Sequence, residues 1–496
     1  MLRATLHDVA VVRALNASYA TTAPFSPDES YPEYGLGALA PDGTNPVYEA
    51  VRRLFVRADL DAQRFGSAQW NPLAALIRPG ETVVLKPNLV KEAHPRDPDG
   101  WQYVMTHGSV IRVVADYVFK AVGPSGRVIV ADAPQTDSSF VEISRVLGLD
   151  TIEAFYRGRG LHLEVLDLRN EEWTSRGGVI VHRRPLVGDP RGGVAFDLAD
   201  DSEFVGHRGE GRYYGADYDS EVVNYHHSSG RHEYLLSRTV MEADVVFSLP
   251  KLKTHKKAGV TSTLKNLVGV NADKNWLPHH TEGPRGSSGD ESPDQSWRHR
   301  VERAGASRLR SLAVRVPGVG VRLLGVARRQ GTLVFGDTDS VVRSGNWWGN
   351  DTVWRMCLDN KIVLYGKPDG SIGPDRPTMR RRHYSLVDGV LAGEGGGPLN
   401  PDPLPAGILM FGTNAAAVDA AATVLMGFDP DRVPIIRQAF LVKSYTLVDQ
   451  PWREVHLRCD DVSEWNGPLG SIDHRHSLRA RPHFSWTGHI EASASP

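Results

Sequence analysis

The chain has 496 residues, of which 41% are hydrophobic and 23% charged, with a formal net charge of -2. That length exceeds the size at which single cores stop growing, so one elaborated domain with insertions, or two domains, is expected. The near-neutral balance excludes a globally basic, nucleic-acid-binding surface, and two distant cysteines, Cys357 and Cys459, exclude a C-x-x-C pair or a disulfide framework.

The N-terminus runs from Met1-Leu2-Arg3 to His7 and Asp8 without a charged n-region followed by an apolar one. With the sparse cysteine usage of a reducing compartment, this predicts a cytoplasmic protein. Between Glu81 and Asp132 the pattern reads strand, helix, strand: Thr82 to Leu85, His107 to Ala121 with Val110, Val114, Tyr117 and Val118 on one face, then Arg127 to Val130. Short continuous apolar strands joined through a helix predict a mostly parallel sheet flanked by helices, an α/β fold with large insertions.

Residues 170 to 235 are rich in Gly, Arg, Asp, Tyr and His and are read as an elaborated insertion; residues 282 to 296 read as a mobile loop. A further strand is predicted at Ala243 to Phe247. The Arg-rich stretch 298 to 330 reads as a solvated helical face. The most apolar window, Gly407 to Phe428, contains Gly412, Thr413, Asn414 and Asp419, so it predicts a buried strand, Ile408 to Phe411, and a buried helix capped by Asn414 rather than a membrane span. Beyond about Ser471 the tail reads as loosely structured. The expected organisation is a 1–74 extension packing on the core, a 75–430 core with insertions at about 170–235 and 275–350, and a 431–496 extension and tail.

The most informative stretch is Leu249-Pro250-Lys251-Leu252-Lys253-Thr254-His255-Lys256-Lys257, continuing through Thr261 to Lys265-Asn266 and Gly269. It follows a predicted strand, and loops at the carboxyl ends of parallel strands are where open α/β sheets hold ligands. From Lys251 to Lys274 six lysines face one acid, Asp273, a local charge of +5 that attracts phosphate or carboxylate. Thr261 is placed to cap the following helix, leaving its amides for the same anion. Embedded among lysines, His255 is expected to stay neutral near pH 7 and to serve as acid or base.

Lys86-Pro87-Asn88 leaves another strand stiffly and presents Lys86 and Asn88 at the sheet edge. Asp132 ends the next strand. Asp388, Glu394, Gly395 and Gly396 add carboxylates for a divalent metal and side-chain-free backbone for close approach to a ligand. No P-loop and no strand-linked G-x-G-x-x-G is present, and neither His226-His227 nor His279-His280 has zinc-ligand spacing.

Lys86-Pro87-Asn88, Ala131-Asp132, Asp244 through Gly269, Asp388-Gly389 with Gly395, and Asn414 to Gly427 together resemble the domain-of-unknown-function 362 family over roughly residues 75 to 430. Many members carry an appended ferredoxin-type cysteine cluster; its cysteines are absent from this sequence, so no iron-sulfur cluster is expected. A more distant likeness, to the N-terminal domain of nickel-pincer lactate racemases, implies proton exchange between His107 and His255 with Lys265 holding a cofactor or substrate carbonyl. The leading expectation is an enzyme acting on a small anionic metabolite through Lys251, Lys253, Lys265 and His255, with Asp132, Asp388 or Glu394 placing a divalent cation. Ligase, transferase and isomerase chemistry would all use such a site. The rivals are a non-catalytic metabolite-binding protein, homo-oligomeric or not, and a redox partner.

Overall fold

The computed structural model describes residues 7–13, 18–41, 43–176, 179–215, 219–293, 341–372, 379–442 and 444–492. Twelve of its strands form one sheet. In chain order these are β1 (Val9–Arg13), β2 (Thr82–Pro87), β3 (Arg127–Asp132), β4 (Leu163–Asp167), β5 (Val245–Leu249), β6 (Lys251–His255), β7 (Gly259–Thr261), β8 (Arg382–Gly396), β9 (Asn400–Leu404), β10 (Ile408–Gly412), β11 (His456–Arg458) and β12 (Gly467–Pro468). The main order is β12-β11-β1-β10-β8-β5-β2-β3-β4, with β6 and β9 on β8, and β7 on β6. The run β8-β5-β2-β3-β4 is parallel throughout.

Alternation along each strand explains the layers. Val83, Leu85, Val128, Val130, Val245 and Phe247 point to one core, while Val84, Ile129, Ala131 and Val246 point to the other. Both faces are therefore apolar and must be covered. The first is covered by α1 (Pro46–Arg57) and α2 (Gly108–Val122), the second by α4 (Ala415–Met426) and its neighbours. Asn414 caps α4 by accepting from Ala417 N at 3.1 Å, as its sequence position predicts.

Three expectations change. Strand β1 lies inside the main sheet, antiparallel to β10 and parallel to β11, so both chain ends add strands to the sheet. The tail is packed rather than loose: Trp486 and Ile490 are fully buried, because the indole fills space against the β6–β7 turn. The segment read as a basic loop is mostly strand. Pro250 lacks a donor and breaks the ladder, so β5 pairs with the first part of β8 and β6 with the part from Asp388 to Gly393. The predicted insertion contains the paired strands Glu171–Arg176 with Val179–Pro185 and Gly193–Asp197 with Glu233–Ser237. The Arg-rich stretch 298 to 330 lies outside the described residues.

Candidate functional site

The carboxyl ends of β2, β3 and β5 converge on a buried polar knot. Lys86, inside β2 rather than beyond it, donates to Asp132 Oδ1 at 2.7 Å, Asn266 Oδ1 at 2.8 Å and Pro87 O at 2.7 Å, which uses all three of its hydrogens. Asp132 also accepts the amides of Leu89 and Ala133 at 2.8 and 2.9 Å. Asn266 Nδ2 returns to Lys86 O and Ser248 Oγ, both at 2.9 Å. Burial lowers the pKa of Lys86, and the Asp132 charge opposes that shift. Gly269 closes the knot: a Cβ there would lie 2.1 Å from Asp132 Oδ1 and 2.7 Å from Lys86 Nζ.

The pleat of β6 puts Lys251, Lys253 and His255 on one face and sends Leu252 into the opposite core. Lys251 is neutralised locally, donating to Asp388 Oδ2 at 3.1 Å and Tyr19 OH at 2.6 Å. Tyr19 donates in turn to Asp388 Oδ1 at 2.5 Å, and the His107 amide donates to Oδ2 at 3.0 Å. The His107 ring caps α2 through Nδ1 and stacks on Tyr19 with ring centroids 4.0 Å apart. Burial, then the Lys251 charge, pushes the His107 pKa well below the ordinary histidine range.

Lys253 donates to Val104 O and makes no ion pair among the described residues. Burial, with Lys251 and Lys265 nearby, pushes its pKa well below the ordinary lysine range. Burial and the charges of Lys265, Lys253, Lys256 and Lys257 do the same to His255. The imidazole is thus neutral near pH 7. Its Nδ1 accepts the amides of Lys257 and Ala258 at 3.0 and 3.1 Å, which leaves the ring proton on Nε2. At neutral pH His255 is a hydrogen-bond donor through Nε2, since the backbone occupies the nitrogen a base would use.

Lys265 stands on the short helix α3 (Thr263–Asn266) and makes no hydrogen bond or ion pair with a described residue. Its charge is nevertheless felt by Lys86, Lys253, His255, Lys274 and His279, which marks it as the electrostatic centre of the cluster. Thr261 Oγ1 is buried beside α3 without a hydrogen-bond partner. The expected cap is corrected: Ser262 holds the N-cap position, and the free amides of Thr263 and Leu264 are taken by Asp419 at 2.6 and 2.9 Å. A carboxylate from α4 already satisfies the helix end.

The expected metal carboxylates do not converge. Asp132 is held by Lys86, Asp388 by Lys251 and Tyr19, and Glu394 by Arg481, whose N and Nε both donate at 2.8 Å. No group of three or more His, Cys, Asp or Glu able to hold a metal ion occurs among the described residues. Gly395 and Gly396 serve the β8–β9 hairpin: Gly395 O accepts Thr254 Oγ1 at 3.0 Å, and a Cβ on Gly396 would meet Asn400 O at 2.3 Å. The missing Cβ of Gly396 lets β8 and β9 close on each other, and Gly395 takes a left-handed φ of 69°, so both serve the hairpin. Asn88 keeps a buried, unpartnered Oδ1 at the rim. No hydrogen bond or ring contact joins His107 to His255 or Lys265, so the paired-histidine arrangement of the racemase likeness is not supported.

Sequence reasoning counted Lys274 only within the local charge of +5 and gave His279 no role. His279 Nδ1 lies 2.8 Å from Leu277 O, so it carries the proton and Nε2 the lone pair, the reverse of His255. The chain reversal after Gly269 brings both residues back to the Lys265 charge, and no local spacing announces it.

No helix among the described residues is long and apolar enough to cross a membrane. The chain is 23% identical over 393 residues to the thylakoid-associated protein sll1697 of Synechocystis sp., covering 79% of this chain and 78% of that protein. A crystal structure of a Thermotoga maritima protein aligns at 10% identity with a TM-score of 0.29, over 72% of this chain and 54% of that one. The chain thus spans about half the length of that solved structure. Residues 208–424, the stretch that carries Lys251, His255, Lys265 and Asp388, match the model of the family described as a domain of unknown function (DUF362).

Proposed function

We propose that this protein is an enzyme acting on a small phosphate- or carboxylate-bearing molecule bound at the carboxyl rim of its parallel strands. The observation that carries the reading is Lys265, a cation paired with no described group at the centre of a lysine cluster in which Lys251, Lys253 and Lys257 are buried. Burying positive charge without a counter-charge is costly, so such a cluster favours an anion in contact with it. Lys265 meets the anion, and the His255 Nε2 proton and the Thr261 hydroxyl donate to it. The Lys86-Asp132-Asn266 knot fixes the platform on which they stand. A neutral His255 held as a hydrogen-bond donor beside the Lys265 charge suits the stabilisation of negative charge that develops on the bound molecule, which favours turnover over passive binding.

The test is thermal stabilisation by inorganic phosphate and by malonate, measured against matched ionic strength in sodium chloride. Wild type should be stabilised specifically, and Lys265→Gln should weaken the apparent affinity by roughly tenfold or more, the worth of a charge-assisted hydrogen bond. Equal responses of the two proteins, or a response no larger than that to chloride, would refute the anion site.

A further inference from the structure

Beside the rim, past the ends of β3 and β4, a cavity of about 370 Å³ opens against segment 272–275. That volume falls within the ~300–1,000 Å³ typical of small-molecule sites. Its wall includes Thr136, Arg169, Arg183, Asp219, Asp273 and Lys274. Most of these groups are already engaged. Arg169 is saturated by Asp167 at 2.7 Å, Glu172 at 3.3 Å and the carbonyls of Gln135 and Ser138, each at 2.8 Å. Asp273 Oδ1 accepts Asn275 N at 2.8 Å, and Asp219 Oδ1 accepts Glu221 N at 2.9 Å.

Two cations remain. Lys274 Nζ has one long hydrogen bond, 3.5 Å to Val268 O, and no ion pair among the described residues. Arg183 is exposed, lies over the Trp173 ring at 4.6 Å and likewise has no described carboxylate partner. An amine and a planar guanidinium lining one metabolite-sized cavity match a ligand with two different handles, a carbonyl carbon and an anionic group.

We propose that this cavity captures a small aldehyde or ketone bearing a phosphate or carboxylate, with Lys274 Nζ as nucleophile and Arg183 as the anion-binding group. The neutral amine attacks the carbonyl carbon while a proton passes from nitrogen to the former carbonyl oxygen, giving a carbinolamine. A proton taken up from solvent lets that hydroxyl leave as water, and the nitrogen lone pair forms the C=N bond of a protonated imine, with no net oxidation or reduction. The environment supports the amine form: burial, then the charges of Lys86, Lys265 and Arg169 against that of Asp132, brings the Lys274 pKa down to about 7. A lysine desolvated beside other cations is the usual way a protein makes this nucleophile available at neutral pH.

The experiment uses pyridoxal 5′-phosphate, an aldehyde with a phosphate, on the full chain at pH 7, followed by borohydride reduction and peptide mass mapping. Lys274 should label roughly tenfold or more faster than the partly exposed Lys91 and Lys367, and its rate should rise with pH to a plateau above a midpoint near 7. Arg183→Gln should slow labelling at Lys274 and leave Lys91 and Lys367 unaffected. Labelling of Lys274 no faster than Lys367 in wild type would overturn the proposal, as would an Arg183→Gln variant that labels at the wild-type rate. The two readings fail separately, because phosphate stabilisation lost in Lys265→Gln reports on the lysine cluster and imine trapping reports on Lys274.

Discussion

Lys86 Nζ and Asp132 Oδ1 lie 2.7 Å apart at the ends of adjacent parallel strands, both side chains almost wholly shielded from water. The β2–β3 pairing and its register bring the two strand ends side by side. Gly269, from a segment more than a hundred residues downstream, closes over them, and its carbonyl accepts Ala133 N at 2.7 Å. The strand ends and the lysine-bearing segment are therefore one unit.

Gly269→Ala should break that unit. A methyl group cannot occupy a position 2.1 Å from a carboxylate oxygen, so the ion pair must part or the segment must lift. We expect a loss of about 3 kcal/mol in urea unfolding, the scale of overpacking combined with a weakened buried pair. A Gly269→Ala protein as stable as wild type would mean that the segment does not close on the pair.

Two lysines of the same cluster should respond oppositely to removal. Lys86→Met leaves Asp132 charged and buried, a loss of about 3–5 kcal/mol. Lys265→Met removes a side chain that bonds to no described residue and should stay within about 0.5 kcal/mol of wild type. Parallel urea titrations of the two variants distinguish the structural lysine from the one held for a ligand.

The parallel strands were legible in sequence because a strand buried on both faces has an uninterrupted apolar run, as in Val128 to Ala131 and Val245 to Phe247. Strand β6 was not. Lys251, Lys253 and His255 alternate with Leu252 and Thr254, a pattern that normally marks a solvated face, yet all five are buried. What permits this is Asp388, Tyr19 and the carbonyl of Val104, all more than a hundred residues away in sequence. The position of the site at the sheet rim could be inferred, but the pairing of its charges could not. The carboxylates assigned to a metal, Asp132, Asp388 and Glu394, turned out to be the counter-ions of Lys86, Lys251 and Arg481.

Acid stability should carry the signature of two buried carboxyls. Burial pushes Asp419 and Asp359 from 3.8 up to about 6. Because the folded state holds these protons more tightly, each group favours folding below the unfolded value, and that contribution is lost as pH rises through about 6. The loss is roughly 3 kcal/mol per group at about 1.4 kcal/mol per pKa unit. Asp419→Asn carries a separate, pH-independent cost, since one of the Thr263 and Leu264 amides loses its acceptor. Its stability relative to wild type should nevertheless improve between pH 4 and pH 7, read from urea unfolding at both values. A difference that does not vary with pH would mean that Asp419 does not titrate as described.

The C-terminal segment should act as the clamp on His255. Trp486 is fully buried, its Nε1 donates to Lys256 O at 2.8 Å, and its ring lies 3.1 Å from the position a Cβ would take on Gly259. Gly259 has a φ of 82°, so the turn it closes is one an L side chain would strain. The indole thus packs on the same turn whose Lys257 and Ala258 amides hold His255 Nδ1 and keep the ring proton on Nε2. Trp486→Ala should cost about 3–5 kcal/mol as a large buried side chain. It should also speed amide exchange across 256–259 more than across β3, because the turn loses its cover while the sheet does not. Once the turn loosens, the Nε2 donor is no longer fixed, and phosphate stabilisation should fall in the same variant even though Trp486 itself donates to the backbone of Lys256 and not to the ligand.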